Sequence, residues 1–122
     1  MIELKNIALA VEGFSLKVDL NFQKERLHVV LGPSGSGKTV LLEIIAGLLK
    51  PDTGRIILND EDISNYLPEA RQMGYLPQDN TLFPHLNVFD NIMFGLRIQK
   101  RAADEEAIGK ICDRLKGSHL LT

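Results

Sequence analysis

The sequence has few of the features that mark a secreted, membrane-spanning or nucleic-acid-binding protein. Its one cysteine, Cys112, excludes an internal disulfide and fits a reducing compartment. No run approaches the roughly 18 apolar residues of a membrane span, and Met1 leads directly into strand-like sequence, so we expect no signal peptide. The 14 Lys and Arg against 16 Asp and Glu give a net charge of −2, which argues against a broad basic surface for nucleic acid.

The N-terminal segment has the alternation of two paired antiparallel strands. From Phe14 to Phe22, apolar and polar residues alternate strictly, and Ile2 to Val11 predicts the neighbouring strand. Glu12-Gly13 is expected to form the hairpin turn between them. The apolar phase slips between Leu4 and Ile7, which indicates a β-bulge.

The middle of the chain predicts a buried α/β unit. Leu27 to Leu31 runs without alternation and predicts a strand buried on both faces. A deeply buried helix is expected after it, ended by Pro51. Short strands are predicted over Arg55–Asn59 and Met73–Leu76. The apolar residues that cover most of the predicted helix surface are Leu41, Leu42, Ile44, Ile45, Leu48 and Leu49.

The last third of the sequence predicts two helices. Asn87 can cap a short helix through Met93, with Asp90 on its first turn. Apolar residues at helical spacing predict a second helix from about Ala102 to Leu115. We expect Cys112, on that helix, to be a small buried hydrophobe.

A glycine-rich loop lies between the predicted strand 27–31 and the buried helix, and it fits the pattern G-x-x-x-x-G-K-[ST]. Its glycines permit a close backbone approach, so that successive N–H groups form an anion site at the helix N-terminus. Lys38 can reach the β- and γ-phosphates, and the Thr39 hydroxyl can ligate Mg²⁺. The loop consists of Gly32, Pro33, Ser34, Gly35, Ser36, Gly37, Lys38 and Thr39, and Val40 follows it.

This loop predicts binding of a nucleoside triphosphate. A glycine-rich turn that binds nothing is the plainest alternative, but the strand-then-helix context favours phosphate binding. A dinucleotide-binding loop is a poorer alternative, because Gly35-Ser36-Gly37 has no third glycine at the required spacing. The loop alone does not name a reaction.

Further motifs follow the loop in a fixed order. They are Ile45-Ala46-Gly47-Leu48, Lys50-Pro51-Asp52-Thr53-Gly54-Arg55-Ile56, Gly74-Tyr75-Leu76-Pro77-Gln78, Leu82-Phe83-Pro84-His85-Leu86-Asn87-Val88 and Asn91-Ile92-Met93-Phe94-Gly95-Leu96. In this order, and over essentially the whole chain, the sequence resembles the nucleotide-binding subunit of ATP-binding cassette (ABC) transporters.

The resemblance implies an α/β fold. It consists of a P-loop core with parallel strands, an antiparallel N-terminal β-subdomain and the start of a helical subdomain. We expect one ABC-type domain over 1–122, with the β part at 1–25, the P-loop core at 26–78, and the Q-loop and start of the helical subdomain at 79–122. The family's Leu-Ser-Gly-Gly-Gln signature, Walker B acid, catalytic glutamate and switch histidine do not occur, so the chain resembles the first half of such a subunit.

The resemblance also implies roles for single residues. Gln78 matches the Q-loop glutamine, which contacts Mg²⁺ and the attacking water, so Lys38 and Gln78 are the candidate catalytic residues. The cofactors implied are ATP and Mg²⁺, with Thr39 and Gln78 as metal ligands. Phe14 is a candidate for the adenine-stacking aromatic, although its place in the alternating pattern favours a core position. Asp60 stands where the family often has a turn glycine, and Asp tolerates that conformation.

The partners implied are a membrane permease, contacted near Leu82–Val88, and a second ATPase subunit in a head-to-tail dimer. The chain would then lie at the cytoplasmic face of the membrane, held by the permease. The Glu12-Gly13-Phe14 connection and the ending 117–121 most resemble importers of molybdate, tungstate or sulfate. A non-catalytic, truncated nucleotide-binding module is the alternative function, and a small kinase or GTPase fits residues 74–96 poorly.

Overall fold

The computed structural model describes residues 1–79, 82–99, 102 and 104–115. These residues fall into two compact units, Met1–Tyr75 and Leu76–Thr122. No helix in the described part of the chain is long and apolar enough to cross a membrane.

The first unit is built on a four-stranded antiparallel sheet. Strands β1 (Ile2–Val11), β2 (Phe14–Phe22), β3 (Thr53–Leu58) and β4 (Glu61–Asp62) lie in the order β2-β1-β3-β4. The predicted hairpin between the first two strands is confirmed. So is the bulge, because the β1–β2 register shifts between Leu4 and Ile7.

Helix α1 (Lys38–Ala46) packs one face on this sheet. It ends earlier than predicted because Gly47, with φ 83°, forms a left-handed C-cap four residues before Pro51. The prediction of a deeply sunk helix is wrong for part of its surface, since Leu42 is 47% exposed. The core cluster consists of Leu4, Ile7, Leu9, Leu41, Ile44, Ile56 and Ile63.

Two predicted strands do not form. Residues 27–31 and 73–76 have irregular structure, and Leu27 and Leu31 are 92% and 86% exposed. A strand forms only against a hydrogen-bonding partner, and no strand in the described residues pairs with either segment. The parallel pairing expected of the P-loop core is therefore absent from the described part of the chain, and the sheet there is antiparallel throughout. The α/β combination itself is confirmed.

The turn between β3 and β4 confirms the expectation for Asp60. Asn59 and Asp60 have φ values of 48° and 70°, as a two-residue hairpin turn requires. The predicted strand Arg55–Asn59 is observed as β3, shifted toward the N-terminus. After β4 the chain forms a short 3-10 helix at Pro68–Arg71.

The described residues of the second unit form two helices, α2 (Val88–Ile98) and α3 (Glu105–Arg114). The predicted cap is confirmed, because the Asp90 N–H donates to Asn87 Oδ1 at 2.7 Å. Helix α2 runs five residues beyond the predicted end at Met93. Cys112 is buried on α3 as expected, whereas the ending 117–121 lies outside the described residues.

Candidate functional site

The glycine-rich loop makes a tight turn directly before α1. The Ser36 N–H donates to Pro33 O at 3.3 Å, and Gly35 and Gly37 have φ values of 78° and 91°. Residues with a Cβ rarely adopt this backbone conformation. The loop is exposed from Gly32 to Ser36, so its backbone is open to a ligand.

Gly37 is the N-cap of α1 and has no side chain with which to cap it. The first N–H groups of a helix have no acceptor inside the helix, and the helix dipole places partial positive charge there. An anion suits this position, since it can accept hydrogen bonds from these groups. The loop therefore fits a phosphate group, as its sequence predicts.

The ring of Phe14 closes one side of this helix end. A Cβ built on Gly37 would lie 2.6 Å from Phe14 Cζ and 3.4 Å from Leu16 Cδ1. Phe14 is half-buried, and it is not among the residues that form the core cluster or pack against it, whereas Leu16 and Val18 of the same strand do pack against that cluster. The ring is thus placed beside the candidate phosphate site rather than in the centre of the core.

Replacement of Gly37 by Ala is expected to weaken Mg-ATP binding at least tenfold. The loop holds residue 37 at φ 91°, which alanine rarely adopts, and the added methyl group would overlap the Phe14 ring, so the loop must shift. Binding of a fluorescent ATP analogue measures the effect.

Gly13→Ala is the matched control for this prediction. Gly13 also has a positive φ, 78°, but a Cβ there meets no atom within 4 Å. Equal losses of affinity in the two variants would show that local fit at Gly37 is unimportant.

Lys38 is folded back over the loop. Its Nζ donates to Gly32 O at 2.9 Å and to Pro33 O at 2.7 Å. An ammonium group prefers charged phosphate oxygens to neutral carbonyl oxygens, because charge-assisted hydrogen bonds are about twice as strong. Lys38 is thus positioned at the mouth of the loop with donors ready to move to a phosphate.

The remaining predicted site residues differ in exposure. Thr39, in the first turn of α1, is exposed, whereas Val40 packs partly against the core. The described residues contain no group of three or more His, Cys, Asp or Glu that could hold a metal ion. A cation here would therefore rely on the Thr39 hydroxyl and on phosphate oxygens, which are ligands that Mg²⁺ accepts. Gln78 is exposed in the second unit.

No local sequence pattern predicts the role of Arg71, which is only 5% exposed. Its Nη1 donates to Ile44 O and Ile45 O, each at 2.8 Å, at the C-terminal end of α1. Its Nε and Nη2 donate to Tyr66 O and Ser64 O. Burial lowers the pKa of this guanidinium from its ordinary value, although arginine stays charged at neutral pH. Arg71 thus fastens the far end of the phosphate-loop helix to residues 64–71.

The second unit carries an apolar groove of 410 Å³ where the permease contact was predicted. Leu82 is 72% exposed and Phe83 39% exposed. The Phe83 ring contacts the Phe94 ring at 4.2 Å between centroids. The groove is lined by Leu82, Phe83, Pro84, Leu86, Val88, Asn91 and Ile92.

Comparison with known proteins decides the family. The family model described as "ABC transporter" matches residues 16–122, which is most of the chain. The chain belongs to the ABC transporter family. The resemblance inferred from the loop and the motifs after it is thereby confirmed.

Several of the similar proteins are import ATP-binding proteins. The Molybdate/tungstate import ATP-binding protein of Methanocaldococcus jannaschii is 47% identical over 99% of this chain and 41% of its own length. The protein of the same name from Pyrococcus abyssi is 44% identical over 99% of this chain and 36% of its own length. A Spermidine/putrescine import ATP-binding protein from Fusobacterium nucleatum is 41% identical over 89% of this chain and 29% of its own length. This ABC chain therefore spans less than half of the length of each of these relatives.

Solved structures agree with the fold. A dimeric ATP-binding cassette in a post-hydrolysis state bound to ADP and Pi is similar with a TM-score of 0.72 and 27% identity. The match covers 87% of this ABC chain and 52% of that chain. A dimeric bacterial ABC transporter cassette matches with a TM-score of 0.73 over the same shares.

Proposed function

We propose that this chain is the ATP-binding part of an ABC importer, in which residues 32–39 hold the triphosphate. One observation carries the proposal. The loop before α1 presents uncapped helix N–H groups and a lysine whose donors rest on two neutral carbonyls. The family supports ATP as the ligand, because a similar cassette is described as bound to ADP and Pi.

Each predicted residue has a place in this proposal. The backbone N–H groups of the loop bind and orient the phosphates, and Lys38 neutralises charge on the β- and γ-phosphates. Thr39 and Gln78 are proposed as ligands of Mg²⁺, which would supply charge neutralisation at the phosphates. Gln78 is proposed to orient the attacking water.

The cargo proposed is an oxyanion such as molybdate, tungstate or sulfate. Relatives named for molybdate and tungstate import, at 44–47% identity, support this class. The relative named for spermidine/putrescine import limits the support, because at 41% identity it is almost as similar to this chain. We infer that cargo is selected by other subunits and that this chain couples ATP to the movement.

We propose two partners for the chain. One is a permease that seats an apolar helical segment in the groove at 82–92, so that the chain lies at the cytoplasmic face of the membrane. The other is a second ATPase subunit, supported by the dimeric cassettes of similar fold. We propose no nucleic-acid partner, because the net charge of the chain is −2.

Titration of the chain with Mg-ATP tests the proposal. We expect one ATP bound per chain, weaker binding of Mg-GTP, and phosphate release close to background. The release is expected to be slow because the sequence has no match to the family's signature loop, Walker B acid or catalytic glutamate.

Failure to bind Mg-ATP would overturn the proposed function. Phosphate release at an ordinary enzymatic rate, abolished by Lys38→Ala, would overturn the expectation of slow hydrolysis. Equal affinity for ATP and GTP would favour a GTPase-like or kinase-like function instead.

A further inference from the structure

The side chain of Asn91 organises the loop in front of α2. Its Oδ1 accepts the Phe83 N–H at 2.8 Å. Its Nδ2 lies 3.2 Å from Phe83 O, 3.0 Å from Leu86 O and 2.9 Å from Asn87 O, and donates to these carbonyls. One side chain therefore meets backbone groups at three positions of the loop.

The amide group suits this position chemically. It has an acceptor oxygen on one side and two N–H donors on the other, so it accepts one backbone N–H and shares its two donors among the three carbonyls. Residues 83–87 are not part of a helix or strand in the described structure. Phe83 O and Asn87 O also accept the backbone N–H groups of Leu86 and Asn91. The amide therefore matters most to the Phe83 N–H and to Leu86 O, since backbone polar groups need partners.

The loop held by Asn91 is also the wall of the groove. Phe83 and Leu86, whose backbones bond to Asn91, both line it, as does Asn91 itself. The Leu86 N–H donates to Phe83 O at 3.1 Å, which closes the turn between them. The Asn91 amide therefore sets the distance between the backbones of Phe83 and Leu86, and with it the positions of their side chains in the groove.

We propose that Asn91 is a positioning residue for partner docking, and that it sets the shape of the groove which receives an apolar helical segment of the membrane-embedded permease. The inference rests on the docking part of the proposed function. The apolar lining, including the exposed Leu82 and Phe83, favours an apolar occupant, and relatives named as import proteins imply a membrane partner. Because Asn91 holds the loop in place before the partner binds, less conformational entropy is lost on docking.

Asn91→Asp is the decisive variant. It keeps the size of the side chain and the acceptor for Phe83 N–H, but it turns the donors toward Phe83 O, Leu86 O and Asn87 O into a charged acceptor. Asn87→Asp is the matched control, because it adds the same charge in the same loop while Asp remains a good cap for the Asp90 N–H.

The experiment measures binding of each chain to the detergent-solubilised permease of the Methanocaldococcus jannaschii molybdate/tungstate importer. We expect Asn91→Asp to weaken binding at least tenfold, and Asn87→Asp to change it less than threefold. Mg-ATP affinity should stay within twofold in both variants. Hydrogen exchange of the Leu86 amide, which donates to Phe83 O inside the turn, should accelerate at least tenfold in Asn91→Asp alone.

Several outcomes would overturn the inference. They are unchanged permease binding in Asn91→Asp, equal weakening in both variants, or a parallel loss of Mg-ATP affinity and melting temperature, which would indicate a general structural role. If Asn91→Asp does not fold, Asn91→Ala must show the same selective loss. A wild-type chain that binds Mg-ATP but not the permease overturns the docking proposal and this inference together. A chain that binds neither overturns the proposed function.

Discussion

Replacement of Arg71 by Met is expected to lower the free energy of unfolding by about 3 kcal/mol. The guanidinium is 5% exposed and donates to four buried or partly buried backbone carbonyls, so its removal takes a donor away from each of them. Two of these, Ile44 O and Ile45 O, stand at the end of α1, where the helix supplies few donors. Ile44 O would retain the Gly47 N–H, which donates to it at 3.2 Å. Burial of the guanidinium charge itself costs free energy, so its removal offsets part of the lost stability.

Urea unfolding followed by circular dichroism measures the change. Arg55→Met is the matched control, because Arg55 is exposed on β3 and its replacement should cost less than about 0.5 kcal/mol. Arg71→Lys should lie between them, since a compact ammonium keeps the charge but does not span four carbonyls. Equal stabilities of the Arg71→Met and Arg55→Met variants would contradict the assignment.

Replacement of Lys38 by Ala is expected to weaken Mg-ATP binding about 100-fold, which corresponds to about 2.7 kcal/mol. The ammonium is the one charged donor on the loop 32–39, and charge-assisted hydrogen bonds to phosphate are each worth about 1.5–3 kcal/mol. Part of the gain is offset in the wild type, because Lys38 must first leave Gly32 O and Pro33 O. Isothermal titration calorimetry gives both the affinity and the stoichiometry.

Lys24→Ala is the control for Lys38→Ala. It removes an equal charge from an exposed position, where the nearest carboxylate oxygen, on Glu25, lies 3.9 Å away. The carbonyls that Lys38 contacts are exposed to water. Lys38→Ala should therefore leave the melting temperature nearly unchanged. If Lys38→Ala lost much stability, or bound Mg-ATP as tightly as the wild type, Lys38 would have a structural role and not a binding role.

Features with local causes were predictable from the sequence. The hairpin follows from alternation on both sides of Glu12-Gly13, and the cap at Asn87 needs only an N–H three residues away. The phosphate loop likewise depends on glycines and a lysine adjacent in sequence. In each case the residues that determine the structure are neighbours along the chain.

Features that need a distant partner were not predictable in the same way. The segments 27–31 and 73–76 have strand-like composition, but no strand in the described residues is paired with them. Arg71 bonds to carbonyls 26 and 27 residues earlier in the chain, and nothing in its local pattern indicates burial. Asn91 sits in a polar position of a helix, where a solvated side chain is the ordinary expectation.

The position of β1 in the sheet has a consequence for the order of folding. It pairs with β2 through a two-residue turn and with β3 across a long segment that contains the phosphate loop and α1. Closure of a short loop costs less chain entropy and occurs sooner than closure of a long one. We therefore expect the β1–β2 hairpin to form first. Helix α1, which follows the phosphate loop, should pack in place only when β3 pairs with β1.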